Sequence, residues 1–223
     1  MTGRQFVRLS AASGIIGVVM LIISFNINPG PPPDATIDQL VAFGQENYAS
    51  VLWGAWLQVV GPVLILAFAF AIVVLAGAAS RLSGLMTFFG GVLLMVVSLI
   101  EVTFYIGALS GTATTAQFSL DIIHAVQHLY FIVGAPALFF PLGFVVLKSR
   151  LLPQVLGYVA LGMGGAFAAI GIVFLYTFIL PFTVLAFAGV QAFWWLVVAI
   201  IFVVRVDQVV SLSKQLKAPQ PGS

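Results

Sequence analysis

The sequence contains no cysteine. Disulfide frameworks, thiol nucleophiles and iron–sulfur ligation are therefore excluded. Charge is almost as scarce: Asp, Glu, Lys and Arg make up 6% of the 223 residues, against 62% hydrophobic. Soluble domains carry roughly 25% charged residues. So few charges cannot cover so much apolar surface in water, and the fitting solvent is lipid. Long polar segments are missing too, since the longest stretch outside the apolar runs is residues 26–50. The chain has no glycine-rich phosphate loop with a lysine and no Gly-x-Ser-x-Gly elbow, so nothing supports phosphoryl transfer or serine-hydrolase chemistry. Gly162-Met163-Gly164-Gly165 lies inside an apolar run with no strand before it and is no nucleotide fingerprint. Neither a nucleotide nor a haem is expected. The net charge of +2 comes from few groups and carries no nucleic-acid signal.

What is present is six apolar runs, at about residues 9–25, 51–76, 84–109, 122–147, 155–176 and 182–204. Each is long enough to cross a hydrocarbon core about 30 Å thick as a helix. The backbone must satisfy its own hydrogen bonds in lipid, and strand alternation is absent, so an all-α fold is expected: a polytopic bundle of six transmembrane helices in one domain over residues 1–212.

The charges orient it. Arg4 and Arg8 precede the first run, Arg81 separates the second and third, Lys148 and Arg150 separate the fourth and fifth, and Arg205, Lys214 and Lys217 follow the sixth. All eight cations fall on one side. Asp34, Asp38, Glu46 and Asp121 fall on the other, with no Lys or Arg. The positive-inside rule then predicts cytoplasmic termini. Arg4 and Arg8 before an apolar run also describe a signal peptide, but Ser24-Phe25-Asn26-Ile27-Asn28-Pro29 offers no small-x-small cleavage site, which favours a retained helix.

Between the first two runs, Pro29-Gly30-Pro31-Pro32-Pro33 predicts a stiff extended spacer. Thr36 and Gln39 then form a capping-box pattern, and Ile37, Leu40, Val41 and Gly44 share one face of the helix that would follow. A short helix over about residues 37–47 is expected at the outer interface, or else as a lid over an outward-facing pocket. Gly157, Ala160, Gly164, Ala168 and Gly171 form a small-residue stripe suited to close helix packing. Pro62, Pro136 and Pro141 predict kinks. Residues 213–223, starting Ser213-Lys214-Gln215-Leu216-Lys217, are expected as a basic, disordered cytoplasmic tail.

Few polar residues interrupt the runs, and each is a site candidate because ionisable groups are costly in a membrane. Glu101 is in the third run. His124 and His128, the only histidines, follow Asp121 in the fourth. Counting from Arg81 and Lys148 at 1.5 Å per residue puts Glu101 and His128 about 30 Å from the basic side. Gln58, Tyr105, Tyr176 and Gln191 fall near that level. Glu101, Tyr105, His124, His128 and Gln58 are therefore the candidate ligand-binding residues. His124 and His128, four apart, leave one helix face with Asp121. With Asp121 or Glu101 they could hold a divalent metal and activate water, although Ile123 and Ala125 flank His124 where a zincin has its glutamate.

Three readings follow. The favoured one is non-enzymatic: an outward-facing polar pocket for a small ligand, ion or lipid headgroup. A metal-dependent membrane hydrolase is the second. The third is a structural or assembly subunit whose polar groups fix helix packing. The expected partners are the lipid bilayer and a second copy of the chain, with no nucleic acid.

In its long first outer loop, the Leu151-Leu152-Pro153-Gln154-Val155-Leu156-Gly157 turn opening the fifth run, and its short basic tail, the chain resembles bacterial six-helix integral membrane proteins of unassigned activity. The resemblance implies a bacterial cytoplasmic membrane and names no catalytic residue.

Overall fold

The structure, a computed structural model, describes residues 1–28, 36–110, 112–176 and 181–217. Among the described residues there is helix and no strand. Nine α-helices are described: α1 Gly3–Ile27, α2 Ile37–Glu46, α3 Tyr48–Leu75, α4 Leu82–Ser110, α5 Ala113–Leu129, α6 Ala135–Ser149, α7 Gln154–Phe174, α8 Pro181–Val204 and α9 Val206–Lys217. A π turn, Tyr130–Gly134, joins α5 to α6. Counting α5, the π turn and α6 as one, six helices are long and apolar enough to cross a membrane. Large apolar side chains cover their outer surface, among them Ile16, Phe89, Phe144 and Phe193.

The helix ends are set by side-chain caps that extend past the apolar runs. Thr2 and Gln5 form a capping box that starts α1 at Gly3, six residues ahead of the run. Thr112 caps α5, so the fourth crossing begins near residue 113 rather than at 122. The Thr36–Gln39 capping box starts α2 as the pattern predicts. This helix lies against the ends of α4 and α5, with Gly44 beside Leu109. The expected proline spacer falls outside the described residues.

Close helix approach depends on residues without side chains. A Cβ on Gly17 of α1 would lie 2.6 Å from the Gly61 carbonyl oxygen of α3, and one on Gly61 would lie 2.9 Å from that of Gly17. Ser24 then donates to the Gly54 carbonyl at 2.8 Å, closing the α1–α3 pair. At the α4–α6 crossing a Cβ on Gly90 would stand 2.0 Å from the Ala137 carbonyl oxygen. The α7 stripe faces α6 and the π turn: Gly157 meets Leu147, Gly164 meets Phe140 and Gly171 meets Ile132. Small residues thus do what a hydrophobic drive cannot do between helices in lipid.

The core between the helices is aromatic. Phe131, Phe139 and Phe167 are buried in tilted and stacked contact, and the cluster continues, largely edge to face, through Trp194 and Trp195 to Phe68 and Phe202. Edge contacts of this kind are worth about 0.5–1.5 kcal/mol each beyond area burial.

Two expectations change. Proline disrupts the fourth crossing, but the disruption is a π turn upstream of Pro136, where the Ala135 N–H reaches back to the Tyr130 carbonyl. A proline ring clashes with the carbonyl four residues earlier, here Ile132, and widening the preceding turn accommodates it. Second, residues 213–217, expected to be disordered, complete α9. Val206, Val209 and Ser213 are buried at helical spacing, and Leu216 packs beside Gly77. Residues 218–223 lie outside the described residues. Arg4 of α1 pairs with Asp207 of α9, so both helices meet at the end that carries the basic turns.

Candidate functional site

In the half of the bundle away from the basic turns, α1, α3, α4, α5, the π turn, α6 and α8 surround a cavity of about 100 Å³. Its lining is largely apolar, including Phe25, Pro62, Leu94 and Phe131. The polar atoms come from Gln58, Ser98, Glu101, Gln127, Tyr130, Gln191 and Trp195.

These groups interlock across helices. Glu101 of α4 accepts from the Gln127 amide of α5 at 3.2 Å through one carboxylate oxygen. The other accepts from the Gln58 amide of α3 at 3.4 Å. Ser98, three residues before Glu101, donates to the Gln58 backbone carbonyl at 3.5 Å. On the far wall Tyr130 donates its hydroxyl hydrogen to Gln191 of α8. The Trp195 indole N–H, one turn after Gln191, is buried with no acceptor among the described residues. Its neighbour Trp194 donates to the Leu156 carbonyl at 3.1 Å instead.

The π turn builds part of this site. Tyr130 and Phe131 open it and both line the cavity. A π turn shifts the helical register, which re-aims the side chains that follow, and such turns recur at functional sites.

The electrostatics are one-sided. Among the described residues, Glu101 is the only Asp, Glu, Lys, Arg or His that lines the cavity. Its two partners are neutral amides, which hydrogen-bond a carboxylate without neutralising it. Held among apolar walls, a carboxyl group must either keep its proton or be compensated by a positive charge. The remaining acceptor atoms, amide oxygens and hydroxyls, can coordinate a small cation. The volume admits a few water-sized groups.

The candidates from sequence divide. Gln58 and Glu101 meet in the cavity, joined by Gln191, which the sequence places somewhat deeper. Tyr105 lies one turn from Glu101 but lines a separate small hollow with Phe43, Leu109 and Leu120, beneath α2. Tyr176 is 86% exposed. His124 and Asp121 are exposed, and Asp121 accepts from Gln117 at 3.0 Å. His128 is half-buried, its Nδ1 has no partner among the described residues, and it does not line the cavity. Glu101 therefore bonds to Gln127, not to His128. No group of three or more His, Asp or Glu that could hold a metal ion occurs among the described residues, so Asp121, His124 and His128 do not assemble as the expected ligand set. The α2 helix, for which a lid was the alternative to an interfacial position, packs over the Tyr105 hollow, and none of its described side chains lines the Glu101 cavity.

Sequence reasoning missed Gln127, Tyr130, Ser98 and Trp195. A signal existed. Ala116, Ser119, Ile123 and Val126 are the buried face of α5, and Gln127 and Tyr130 continue it at helical spacing. The two histidines sit off that face.

No protein-family model, curated protein or solved structure matches this chain.

Proposed function

We propose that the chain is a multi-pass membrane protein without enzymatic activity whose intramembrane pocket binds a small monovalent cation, inorganic or ammonium-like. One observation carries this reading: among the described residues a single carboxylate, Glu101, lines a small cavity whose other lining residues are neutral. The arrangement selects against anions, which would meet no positive partner. Two amide oxygens, Ser98 and Tyr130 supply neutral oxygen ligands around the charge. The π turn that aims Tyr130 at the cavity adds support.

In this reading both termini face the cytoplasm and the pocket lies toward the outer side of a bacterial cytoplasmic membrane. The grouping of all eight Lys and Arg at one end supports that sidedness. The cysteine-free chain makes it directly testable. Asp121→Cys should react with an impermeant maleimide on intact cells, and Gln215→Cys only after permeabilisation; the reverse pattern overturns the orientation.

Cation binding is tested on detergent-purified protein by thermal unfolding across Na⁺, Li⁺, K⁺ and methylammonium at constant ionic strength, with N-methylglucamine as the bulky replacement. A bound cation should stabilise the wild type saturably, by about 2.7 kcal/mol at a hundredfold excess over Kd. Glu101→Gln, which keeps the shape, should remove the response. A wild type equally stable in every salt ends the proposal.

The bridge from Gln58 to Glu101 to Gln127 favours one second reading, in which the network serves to fasten α3, α4 and α5 together. There, Glu101→Gln lowers stability by the same amount in every salt.

A further inference from the structure

At the basic end, on the lipid-facing side, a groove of about 750 Å³ runs along α4, the π turn and α6. Its floor and walls are apolar: Met86, Val133, Pro136, Phe140 and Phe144. Its mouth holds Arg81 and Lys148, from two separate turns of the chain, with Ser83 beside them. We propose that this groove is a binding site for one anionic phospholipid of the surrounding bilayer, with the phosphate held between Arg81 and Lys148 and an acyl chain lying on the α6 face.

Three features select that occupant. The first is charge. Arg81 and Lys148 have no carboxylate partner among the described residues, where the one ion pair joins Arg4 to Asp207. Two cations without a carboxylate partner on one groove suit a phosphate, and the α4 N-terminus starting at Leu82 adds its positive dipole end to the same field. The second is length. Pro136 is twelve residues from Lys148, a rise of about 18 Å, close to the depth of one leaflet in a core about 30 Å thick. A chain anchored by its phosphate at Lys148 thus reaches the π turn, where the groove ends at Ile132 and Val133. The third is rigidity. Pro136 and Pro141 both line the groove, and the α4–α6 crossing is locked at Gly90 against the Ala137 carbonyl. The hollow is therefore built into the backbone.

A soluble anion would use the cations and leave the apolar length empty, and a zwitterionic lipid would bring its own cation to two others. The site is separate from the Glu101 cavity, and neither proposal depends on the other.

Binding is read by native mass spectrometry and thermal unfolding of the full chain in detergent, titrated with phosphatidylglycerol or with phosphatidylcholine of the same acyl chains. Phosphatidylglycerol should bind about 25-fold more tightly, about fivefold for each cation. Arg81→Gln with Lys148→Gln should abolish the preference, whereas Arg81→Lys with Lys148→Arg should keep it. Each single Gln variant should lose part of it, which keeps the test available if the double variant does not fold. Val133→Trp, which fills the apolar end and leaves the charges in place, should weaken both lipids. Arg205→Gln, at the same end but outside the groove, should change nothing. Equal binding of the two lipids by the wild type, a preference that survives loss of Arg81 and Lys148, or an equal loss in Arg205→Gln would each overturn the proposal.

Discussion

The two ends of the bundle handle charge in opposite ways. Away from the basic turns, Glu101 points inward among helices, ringed by glutamines and aromatic rings in a space of about 100 Å³. At the basic end, Arg81, Lys148, Arg4 and Arg205 are exposed, and the sizeable hollow there opens to the outer surface of the bundle rather than to the core. Burial explains the difference. An inward carboxylate must have every lone pair accommodated by neighbours, so its partners come from several helices and fix how those helices pack. Outward cations meet water and headgroups, so they constrain packing little. The inner network should therefore be sensitive to shape, and the outer charges sensitive to the medium.

Substitutions can break or sharpen that contrast. The largest effect is expected at the crossing that both regions share. Gly90→Leu drives a side chain into the Ala137 carbonyl and should destabilise by at least about 3 kcal/mol, seen as a large drop in the unfolding midpoint in detergent. Next is Glu101→Leu, which removes the acceptor for both Gln58 and Gln127. It should destabilise by about 2–3 kcal/mol, and by clearly more than Glu101→Gln, in denaturant titrations of the purified protein. Gln191→Leu leaves the part-buried Tyr130 hydroxyl without its acceptor, for an expected loss of about 1–3 kcal/mol by the same measurement.

Smaller effects are expected where charge faces outward. Arg4→Gln breaks the ion pair with Asp207, whose two side chains are 66% and 72% exposed. It should lower stability by under about 1 kcal/mol, and raising the salt should erase the difference. His124→Ala should fall within about 0.5 kcal/mol of wild type. An outward substitution that proved as damaging as Glu101→Leu would dissolve the distinction between the two ends.

The histidines show where one-dimensional reasoning strays. Ionisable residues in an apolar run attract attention because of their desolvation cost, and that logic leads to Asp121, His124 and His128. Their neighbours decide otherwise. On α5 the apolar face passes through Ile123 and Val126 to Tyr130, and Gln127 rides on it while His124 turns outward. A neutral amide of α5, rather than an imidazole, thus reaches Glu101. The same oversight hid α9: Val206, Val209, Ser213 and Leu216 repeat at helical spacing, but the few lysines among them read as a tail. Periodicity carried the information in both places, and charge obscured it.

Six apolar crossings, the gathering of every Lys and Arg at alternate turns, the Thr36 cap and the small-residue stripe of α7 follow from the sequence alone, because each depends on composition or on spacing within one helix. The Glu101 cavity, the π turn ahead of Pro136 and the groove beside Arg81 and Lys148 were decided by tertiary structure. Each arises where separate helices meet, and the rotation of one helix against another is set by packing among glycines and aromatic rings that lie far apart along the chain.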